Sequence, residues 1–387
     1  PRDHGTIGDL DDDGKPDVLV TENTNALKVL QNTGSAGQLF TAASMTAAAV
    51  TVTAAEGVQV FDIDGDGKQD IHSGYGILQN SSTSGTISFL NGPTGASTAV
   101  TLYNSAVTSD FNRDGKIDFA VTSGSTSVMV MQNNARSTGF FYGGLYSTFS
   151  SSYLPFTATG TQSKLTADDF DGDGYPDMVA VTGSTNTLSV FRGSGIKGPL
   201  TPSTFLAAAN QTTTGTTPTD LVAGDFDGDG LTDLAVSYSA SPILSVYLNT
   251  STSGAISFAT PVDVTVLLNG YRLAAQDLDG DGLPEIVVTH NPSGAGSFTV
   301  LHNESSAGSL TFTPVNFPLA AYGKSPRGVA IADVTLDGKP DILLLGRPAV
   351  TGSSALMVFE NTMSAAIIAI DTQPGTTYSV CDGATPV

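Results

Sequence analysis

Seven short acidic segments in this chain carry the residues best suited to chemistry. Each follows the pattern Asp-x-Asp-x-Asp-Gly-x-x-Asp, with small departures, and we number its positions 1 to 9. The segments begin at Asp9, Asp62, Asp110, Asp169, Asp225, Asp277 and Asp333. Carboxylate oxygens at every second position, followed by a glycine, are what a tight loop needs to wrap a hard cation such as Ca²⁺. The sequence therefore predicts seven metal-binding loops.

The acidic loops dominate the charge of the chain. It has 37 Asp and Glu against 15 Lys and Arg, for a net charge of −22. Several carboxylates in one turn repel each other strongly, and a bound cation offsets that repulsion. Because no basic stripe is present to meet phosphates, nucleic acid is excluded as an expected partner. No apolar run reaches the roughly 18 residues of a membrane span, so membrane insertion is not expected.

Other families with acidic calcium loops do not fit the surroundings of these segments. An EF-hand needs flanking helices and a Glu at position twelve, whereas position twelve here is Val20, Ser73 or Val236, within predicted strands. Dockerins repeat at a shorter period, also with helices. Thrombospondin-type arrays are rich in cysteine, and this chain has a single one, Cys381. A disulfide within the chain is therefore excluded, and a cysteine-rich zinc site is not expected.

The loops recur every 48 to 59 residues, a period typical of propellers and other repeat arrays. Around each loop the sequence predicts four short strands. A stretch of small apolar residues precedes the loop, and a β-branched apolar run follows it. A third strand ends on a repeated asparagine, such as Asn80 or Asn249, and a fourth alternates as in Ile256-Ser257-Phe258. These features predict an all-β, seven-bladed β-propeller of four-stranded antiparallel blades with a Ca²⁺ loop in each blade.

The ends of the chain set the predicted domain limits. Pro1-Arg2 aligns with Pro326-Arg327 ahead of the seventh loop, so the chain opens at the first strand of unit one. In unit seven, residues 365–370 have the spacing expected of a fourth strand. We therefore predict a propeller over 1–370, and a linker or the start of a following domain over 371–387. The unpaired Cys381 leads us to expect covalently joined further domains, and the abrupt start leads us to expect a processed upstream segment.

The seven units resemble FG-GAP/VCBS-type repeats, which form the propeller of integrin α-subunits and of a calcium-binding lectin from Psathyrella velutina. The resemblance covers about residues 1–370. It implies that the side chains at positions 1, 3, 5 and 9 and the backbone carbonyl of position 7 bind calcium. The residues so implied are Asp9, Asp11, Asp13, Lys15, Asp17, Asp62, Asp64, Asp66, Lys68, Asp70, Asp110, Asn112, Asp114, Lys116, Asp118, Asp169, Asp171, Asp173, Tyr175, Asp177, Asp225, Asp227, Asp229, Leu231, Asp233, Asp277, Asp279, Asp281, Leu283, Glu285, Asp333, Thr335, Asp337, Lys339 and Asp341. Thr335 removes one carboxylate from loop seven, so we expect that site to be the weakest. The literal Phe-Gly and Gly-Ala-Pro signatures of integrins are missing, which favours a microbial branch.

The face opposite the predicted calcium loops varies from unit to unit, and we expect any ligand to bind there. The residues predicted to line its rim are Tyr75, Tyr238, His290, Asn291 and Arg347. This pattern favours a secreted or cell-surface, non-catalytic module that binds a glycan or an extracellular protein ligand. A polysaccharide lyase stays open as the alternative, because such repeats also occur in some lyases. A lyase would need a base such as Arg272 or Lys324 beside calcium, and no nucleophile or zinc triad can be read from the four histidines.

Overall fold

Each sequence unit folds into one four-stranded antiparallel sheet in which strands adjacent in sequence are hydrogen-bonded neighbours. Seven such sheets confirm the predicted all-β, seven-bladed propeller. The structure is a computed structural model. It describes residues 5–21, 27–36, 45–50, 58–73, 76–90, 105–123, 127–133, 149–155, 163–207, 209–290, 296–319, 324–348, 355–362 and 377–379.

The strands are short and are numbered in chain order, four to a blade. Blades 1 to 3 consist of β1 (Gly5–Gly8), β2 (Asp17–Thr21), β3 (Leu27–Asn32), β4 (Met45–Val50), β5 (Gln59–Phe61), β6 (Asp70–Ser73), β7 (Gly76–Asn80), β8 (Phe89–Leu90), β9 (Ala106–Ser109), β10 (Asp118–Ser123), β11 (Ser127–Asn133) and β12 (Phe149–Pro155). Blades 4 and 5 consist of β13 (Ser163–Asp168), β14 (Asp177–Thr182), β15 (Thr187–Phe191), β16 (Ala209–Thr212), β17 (Pro218–Gly224), β18 (Asp233–Tyr238), β19 (Ile243–Tyr247) and β20 (Val262–Thr265). Blades 6 and 7 consist of β21 (Gly270–Gln276), β22 (Glu285–His290), β23 (Ser297–Asn303), β24 (Phe312–Pro318), β25 (Lys324–Ala332), β26 (Asp341–Pro348), β27 (Ala355–Phe359) and β28 (Thr377–Ser379).

The hydrophobic core lies between blades rather than within one. A sheet of this kind has two faces, and in a propeller both are covered by neighbours, which explains the continuous apolar runs in the second strands. β14, β18 and β22 are buried along their whole length. One cluster joins blades 5 and 6, and another joins blade 7 to blade 1. The ring therefore closes by packing β1 against β25, with each blade built from one continuous segment.

In six of the seven blades, the repeated asparagine at the end of the third strand links the blade to the one before it. The Asn303 Nδ2 amide donates to the Phe226 carbonyl of blade 5 at 2.8 Å. The Asn32 amide donates to Val334 at 3.0 Å, across the junction between the two ends of the propeller. The same inter-blade bond is made by Asn80, Asn133, Asn249 and Asn361. Because the acceptor is always the position-2 carbonyl of the preceding loop, each fastening ties the outer strands of one blade to the acidic loop of another.

Blade 4 departs from this arrangement. Gly193 stands where the other units have asparagine, and a Cβ there would lie 2.8 Å from the Pro176 carbonyl oxygen. Instead, the long connection after β15 crosses to blade 3, where the Leu200 amide donates to Gln132 Oε1 at 2.9 Å. Phe205 from the same connection packs edge-on against Phe111. A backbone hydrogen bond and an aromatic contact thus replace the asparagine bond at this one interface.

The outer strand of the last blade differs from the sequence-based expectation. β28 pairs antiparallel with β27, with Met357 opposite Thr377 and Ala355 opposite Ser379. The segment 365–370, predicted to form this strand, lies outside the described residues. Thr377–Ser379 lie within the segment 371–387 of the sequence analysis, and the domain limit at residue 370 stays a prediction. An outermost strand has one pairing partner and one side open to solvent, so spacing along the chain constrains it weakly.

In the part of the chain that the structure describes, no helix has the length and apolar character needed to cross a membrane.

Replacing Asn303 by alanine tests the fastening. The Asn303 side chain is 1 % exposed, donates to Phe226 and Pro284, and accepts from the Ser305 amide. Its loss leaves buried backbone groups without partners, so Asn303→Ala is expected to lower the free energy of unfolding by about 2 to 3 kcal/mol. Urea unfolding measures this change. Gln276→Ala, at an exposed position, should stay within about 0.5 kcal/mol of the parent, and equal values for both variants would contradict the role of the asparagine.

Candidate metal centre

The acidic loops are the connections between the first and second strand of every blade. The residue before position 1 pairs directly with position 9, as in Gly8 opposite Asp17 and Gly224 opposite Asp233. Positions 1 to 8 therefore form an eight-residue hairpin loop closed by a strand pair. All seven loops lie at the same end of the propeller, because the first connection of every blade points the same way in a meander. The predicted site residues of each unit are thus brought together within one loop.

Backbone amides of the loop hold the carboxylates at positions 1 and 5. In loop five, the Asp225 carboxylate accepts hydrogen bonds from the Asp229 and Gly230 amides at 3.1 and 2.9 Å. The Asp229 carboxylate in turn accepts from the Leu231 amide at 2.8 Å. Loops one to four and seven repeat these three bonds. The loops therefore share one shape, and the carboxylates are oriented by the backbone.

Two positions of every loop have a left-handed backbone. Position 6 is always glycine, with φ between +83° and +95°, and position 4 has φ between +55° and +82°. Glycine adopts such angles without strain, which explains its place at position 6 in all loops and at position 4 in four of them. The other three loops have Asp12, Arg113 and Leu336 at position 4. The left-handed backbone at positions 4 and 6 folds the loop so that alternate carboxylates lie on one side of it.

The position-9 carboxylate is the deepest part of each loop and is fully buried in all seven. In blade 5 one oxygen of Asp233 accepts the Phe226 amide at 3.0 Å, and the other accepts the Asn249 amide at 2.6 Å. Burial raises the pKa of this carboxyl because it penalises the charged form. The pKa rises to about 7 for Asp17, Asp70, Asp118, Asp177 and Asp233, to about 6 for Asp341, and is also raised for Glu285.

Position 3 faces the neighbouring blade. Asp227 accepts a hydrogen bond from the Gly308 amide, which lies in the turn after the third strand of blade 6, at 2.6 Å. Asp171 accepts the Gly254 amide of blade 5 at 3.1 Å in the same way. In the first loop, burial is the main cause of a raised pKa at Asp11, with the charge of Asp13 adding to it. The inter-blade contact thus runs through the predicted metal ligands.

A residue that the sequence analysis missed also reaches position 3. It stands directly before the repeated asparagine and is polar in six of the seven units. Gln79 Nε2 donates to Asp64 at 2.7 Å, and the Arg192 guanidinium bridges Asp171 at 2.6 Å and Asp173 at 2.5 Å. Those two bonds raise the pKa of Arg192. The residues at this position are Gln31, Gln79, Gln132, Arg192, Leu248, His302 and Glu360. Its fixed place directly before the repeated asparagine is the sequence feature that could have identified this position.

The donor set of these loops fits a metal ion. In loops one, two and five, carboxylate oxygens of positions 1, 3 and 5 lie within 4.8 Å of one another. In loop four the group is Asp169, Asp171 and Asp177, and in loop six it includes His302. The Asp11 Oδ1 atom is buried and has no hydrogen-bond partner. A buried carboxylate oxygen without a partner is costly unless a cation meets it, so these clusters can hold metal ions.

Loop seven keeps the common backbone despite its missing carboxylate. The Thr335 side chain is 7 % exposed, and its hydroxyl donates to Asp333 Oδ1 at 3.4 Å. The Asp333 and Asp337 carboxylates accept loop amides as in the other units. The lower affinity expected for this loop stays a prediction.

Two of the residues predicted to line an exposed ligand rim are buried instead. Tyr238 and His290 are each 0 % exposed. The Tyr238 hydroxyl donates to Ser245 at 3.0 Å, and His290 Nε2 lies 2.7 Å from the Thr299 hydroxyl. Both are the last residues of second strands, and their part in binding a ligand stays a prediction. Tyr75, Asn291 and the Arg347 side chain lie outside the described residues.

The geometry defines a class of protein, a seven-bladed propeller with an acidic loop in the first hairpin of each blade. The model of the FG-GAP-like repeat matches residues 9–73, 169–236, 225–288 and 277–344. The chain belongs to the FG-GAP-like repeat family. A comparison with curated proteins finds no match.

Solved structures share the fold at low sequence identity. The crystal structure of BBS1N in complex with ARL6DN, soaked with lead, contains a chain that superposes with a TM-score of 0.54 and 10% sequence identity. The match covers 89% of this chain and 88% of that chain. At this identity the likeness shows the propeller architecture alone.

The buried carboxyls predict a pH dependence of the metal-free protein. The folded pKa is about 7 for five of the aspartates and about 6 for Asp341, whereas their unfolded value is 3.8, and the pKa of Glu285 is raised as well. Between these values the folded state binds more protons, so the free energy of unfolding falls as pH rises. Protein kept free of metal ions should therefore melt at a higher temperature at pH 5.5 than at pH 8, measured by calorimetry. His290, whose pKa is lowered by burial, acts in the opposite direction but is one group against seven. Asp177→Asn should reduce the change of melting temperature with pH. An unchanged pH dependence in this variant would contradict its assignment to the buried carboxyls.

Loop four predicts a competition between an arginine and the metal. The Arg192 guanidinium pairs with the carboxylates of Asp171 and Asp173, which are two of the predicted metal ligands. Arg192→Gln, which installs the residue of blades 1 to 3, should raise the affinity of loop four for a cation roughly tenfold, since one nearby positive charge is removed. Terbium luminescence sensitised by Tyr175, at position 7 of this loop, reports on it selectively. Tyr175→Phe should abolish the signal, and an unchanged affinity in Arg192→Gln would exclude the competition.

Proposed function

We propose that this protein is a calcium-stabilised, non-catalytic recognition module that works outside the cell. The observation that carries the proposal is the shared shape of the seven loops, with oriented carboxylates and the buried, unpartnered Asp11 Oδ1 atom. Oxygen ligands at alternating positions, which all seven loops share, suit Ca²⁺ better than softer metals. Loops of this kind suit the millimolar calcium of extracellular fluid, which supports a secreted or cell-surface location.

The ligand is proposed to bind on the face opposite the calcium loops. Every loop on the calcium face must satisfy the same hydrogen bonds, so that face is uniform and structural. The other face is formed by the connections after the second strands and between blades, which differ from unit to unit. The two ligand classes expected from the sequence are a glycan and an extracellular protein. Arrays of glycans and of extracellular proteins, probed with and without calcium, test this proposal, and no calcium-dependent ligand on either array would overturn it.

A polysaccharide lyase is the alternative function. Among the described residues, His290 is buried between blades and His302 Nδ1 lies 3.4 Å from Glu285 of loop six. Neither is placed as an accessible general base. Incubation with acidic polysaccharides, followed by the absorbance of unsaturated products, separates the two functions. If unsaturated product forms only when this protein is present, the protein is a lyase and the proposed non-catalytic function is wrong.

Calcium removal gives the direct test of the metal. Each occupied site should stabilise the fold by about 2.7 kcal/mol when calcium is at a hundredfold excess over its dissociation constant, less any binding to the unfolded chain. Excess chelator is therefore expected to lower the melting temperature markedly, measured by calorimetry. Restoring calcium should reverse the change, whereas magnesium should restore less because its small octahedral shell fits these loops poorly. Unchanged melting, with no metal found by elemental analysis, would contradict the proposal.

A further inference from the structure

An open cleft lies between blades 5 and 6 on the face opposite the acidic loops. It has a volume of about 350 Å³. One wall is the connection between β18 and β19, with Ser239 and Pro242, and the other is the connection between β20 and β21, with Leu267, Leu268 and Asn269. Leu267 is 48% exposed and Leu268 is 40% exposed, although most of the large apolar side chains around them are buried. One wall of the cleft therefore exposes apolar surface to solvent.

Two arginines contact a tyrosine that lines this cleft. Tyr271, at the start of β21, lines the cleft, and the Arg272 guanidinium carbon lies 4.5 Å from the centre of its ring. Arg327, from β25 of the next blade, reaches the same ring at 6.0 Å. Stacking on an aromatic ring uses the flat face of a guanidinium and leaves its N–H edge for other partners. One phenol ring thus holds two positive charges side by side.

Neither arginine has an ion-pair partner among the residues that the structure describes. The ion pair between Lys164 and Asp220, at 3.8 Å on the first strands of blades 4 and 5, involves neither arginine. The Arg327 Nε atom is buried and makes no hydrogen bond. Like charges held this close repel, and a buried donor without a partner is costly. In a chain with 15 basic residues and a net charge of −22, two such arginines indicate a site for an anion.

Strand irregularities place these arginines. The pairing of β21 with β22 shifts register between Gly270 and Leu273, and that of β25 with β26 shifts between Pro326 and Gly328. Such bulges re-aim side chains at the rims of sheets. The bulge in blade 5 contains Thr219 instead, between Pro218 and Asp220. The same bulge therefore carries an arginine in blades 6 and 7 and a threonine in blade 5.

We propose that this cleft binds a peptide segment of a partner protein, with a carboxylate on the arginines and an adjacent apolar side chain on Leu267 and Leu268. The proposal rests on the recognition function above and names its ligand class. An acidic sugar would satisfy the arginines, but its hydroxyl groups would lie on leucine and proline without hydrogen-bond partners. An apolar peptide side chain covers that apolar wall and removes it from water. The peptide therefore matches both halves of the cleft.

Three small probes with different halves of this chemistry test the proposal. N-acetyl-leucine has the carboxylate and the apolar side chain, N-acetyl-leucinamide lacks the charge, and glucuronic acid has the charge on a sugar. Binding is followed by NMR of leucine methyl groups in the calcium-loaded protein, with Leu267→Ala assigning the signal. N-acetyl-leucine should shift the Leu267 and Leu268 methyl signals, and the other two probes should bind at least tenfold more weakly. Equal or tighter binding of glucuronic acid, or no shift with N-acetyl-leucine, would overturn the peptide assignment.

Charge variants complete the test. Arg272→Gln and Arg327→Gln should each weaken N-acetyl-leucine binding about tenfold, as expected for loss of a hydrogen bond to a charged group. Leu267→Glu, at an exposed position, should abolish binding without affecting the fold. Lys197→Gln, which removes an exposed positive charge in blade 4, should leave binding unchanged. If an array ligand is found whose binding ignores both arginine variants, the cleft assignment is wrong while the recognition function stands. If neither the arrays nor the small probes detect binding, both the cleft assignment and the recognition function are wrong.

Discussion

The buried carboxylate at position 9 of each acidic loop is the group on which the arrangement of the propeller depends. Its two oxygens accept amides from the loop that precedes it and from the end of the third strand, as Asp233 does with Phe226 and Asn249. The asparagine so positioned then reaches the preceding blade. One side chain therefore couples the loop, the sheet and the inter-blade contact. A carboxylate without compensation would be costly at that depth, so a cation bound in the loop would stabilise the contacts between blades.

This coupling separates the two faces of the molecule. On the loop face every blade must present the same amides to the same carboxylates, and variation there would disturb a neighbouring blade. The opposite face carries no such requirement, and its connections differ in length and composition. The exposed leucines of the cleft and the two arginines around Tyr271 lie there, at positions where a change leaves the metal loops untouched. The fold thus keeps its stabilising groups apart from the surface that is free to acquire a ligand.

Blade 4 shows how far the pattern tolerates change. It lacks the asparagine, with Gly193 in its place, and it holds an arginine where three other blades have glutamine. The Gly193 amide still donates to Asp177 at 2.7 Å, so the carboxylate keeps its strand contact. The lost contact with blade 3 is replaced by Leu200 and Phe205, and Arg192 neutralises carboxylates that a metal ion would otherwise neutralise. The interface requires a satisfied carboxylate and a filled core, and it accepts more than one way of providing them.

The sequence by itself determined the loops, their ligand-type residues and the seven four-stranded units, because each follows from local spacing: alternate carboxylates, a glycine for a left-handed turn, and a strand that begins at position 9. Tertiary structure decided the rest. Residues at the ends of second strands, such as Tyr238 and His290, look like rim residues in sequence but are buried, because the neighbouring blade covers that face. The outer strand at Thr377–Ser379 and the meeting of Arg272 with Arg327 depend on partners far along the chain. Local spacing carries no record of such pairings, since they are set by ring closure and by packing between blades.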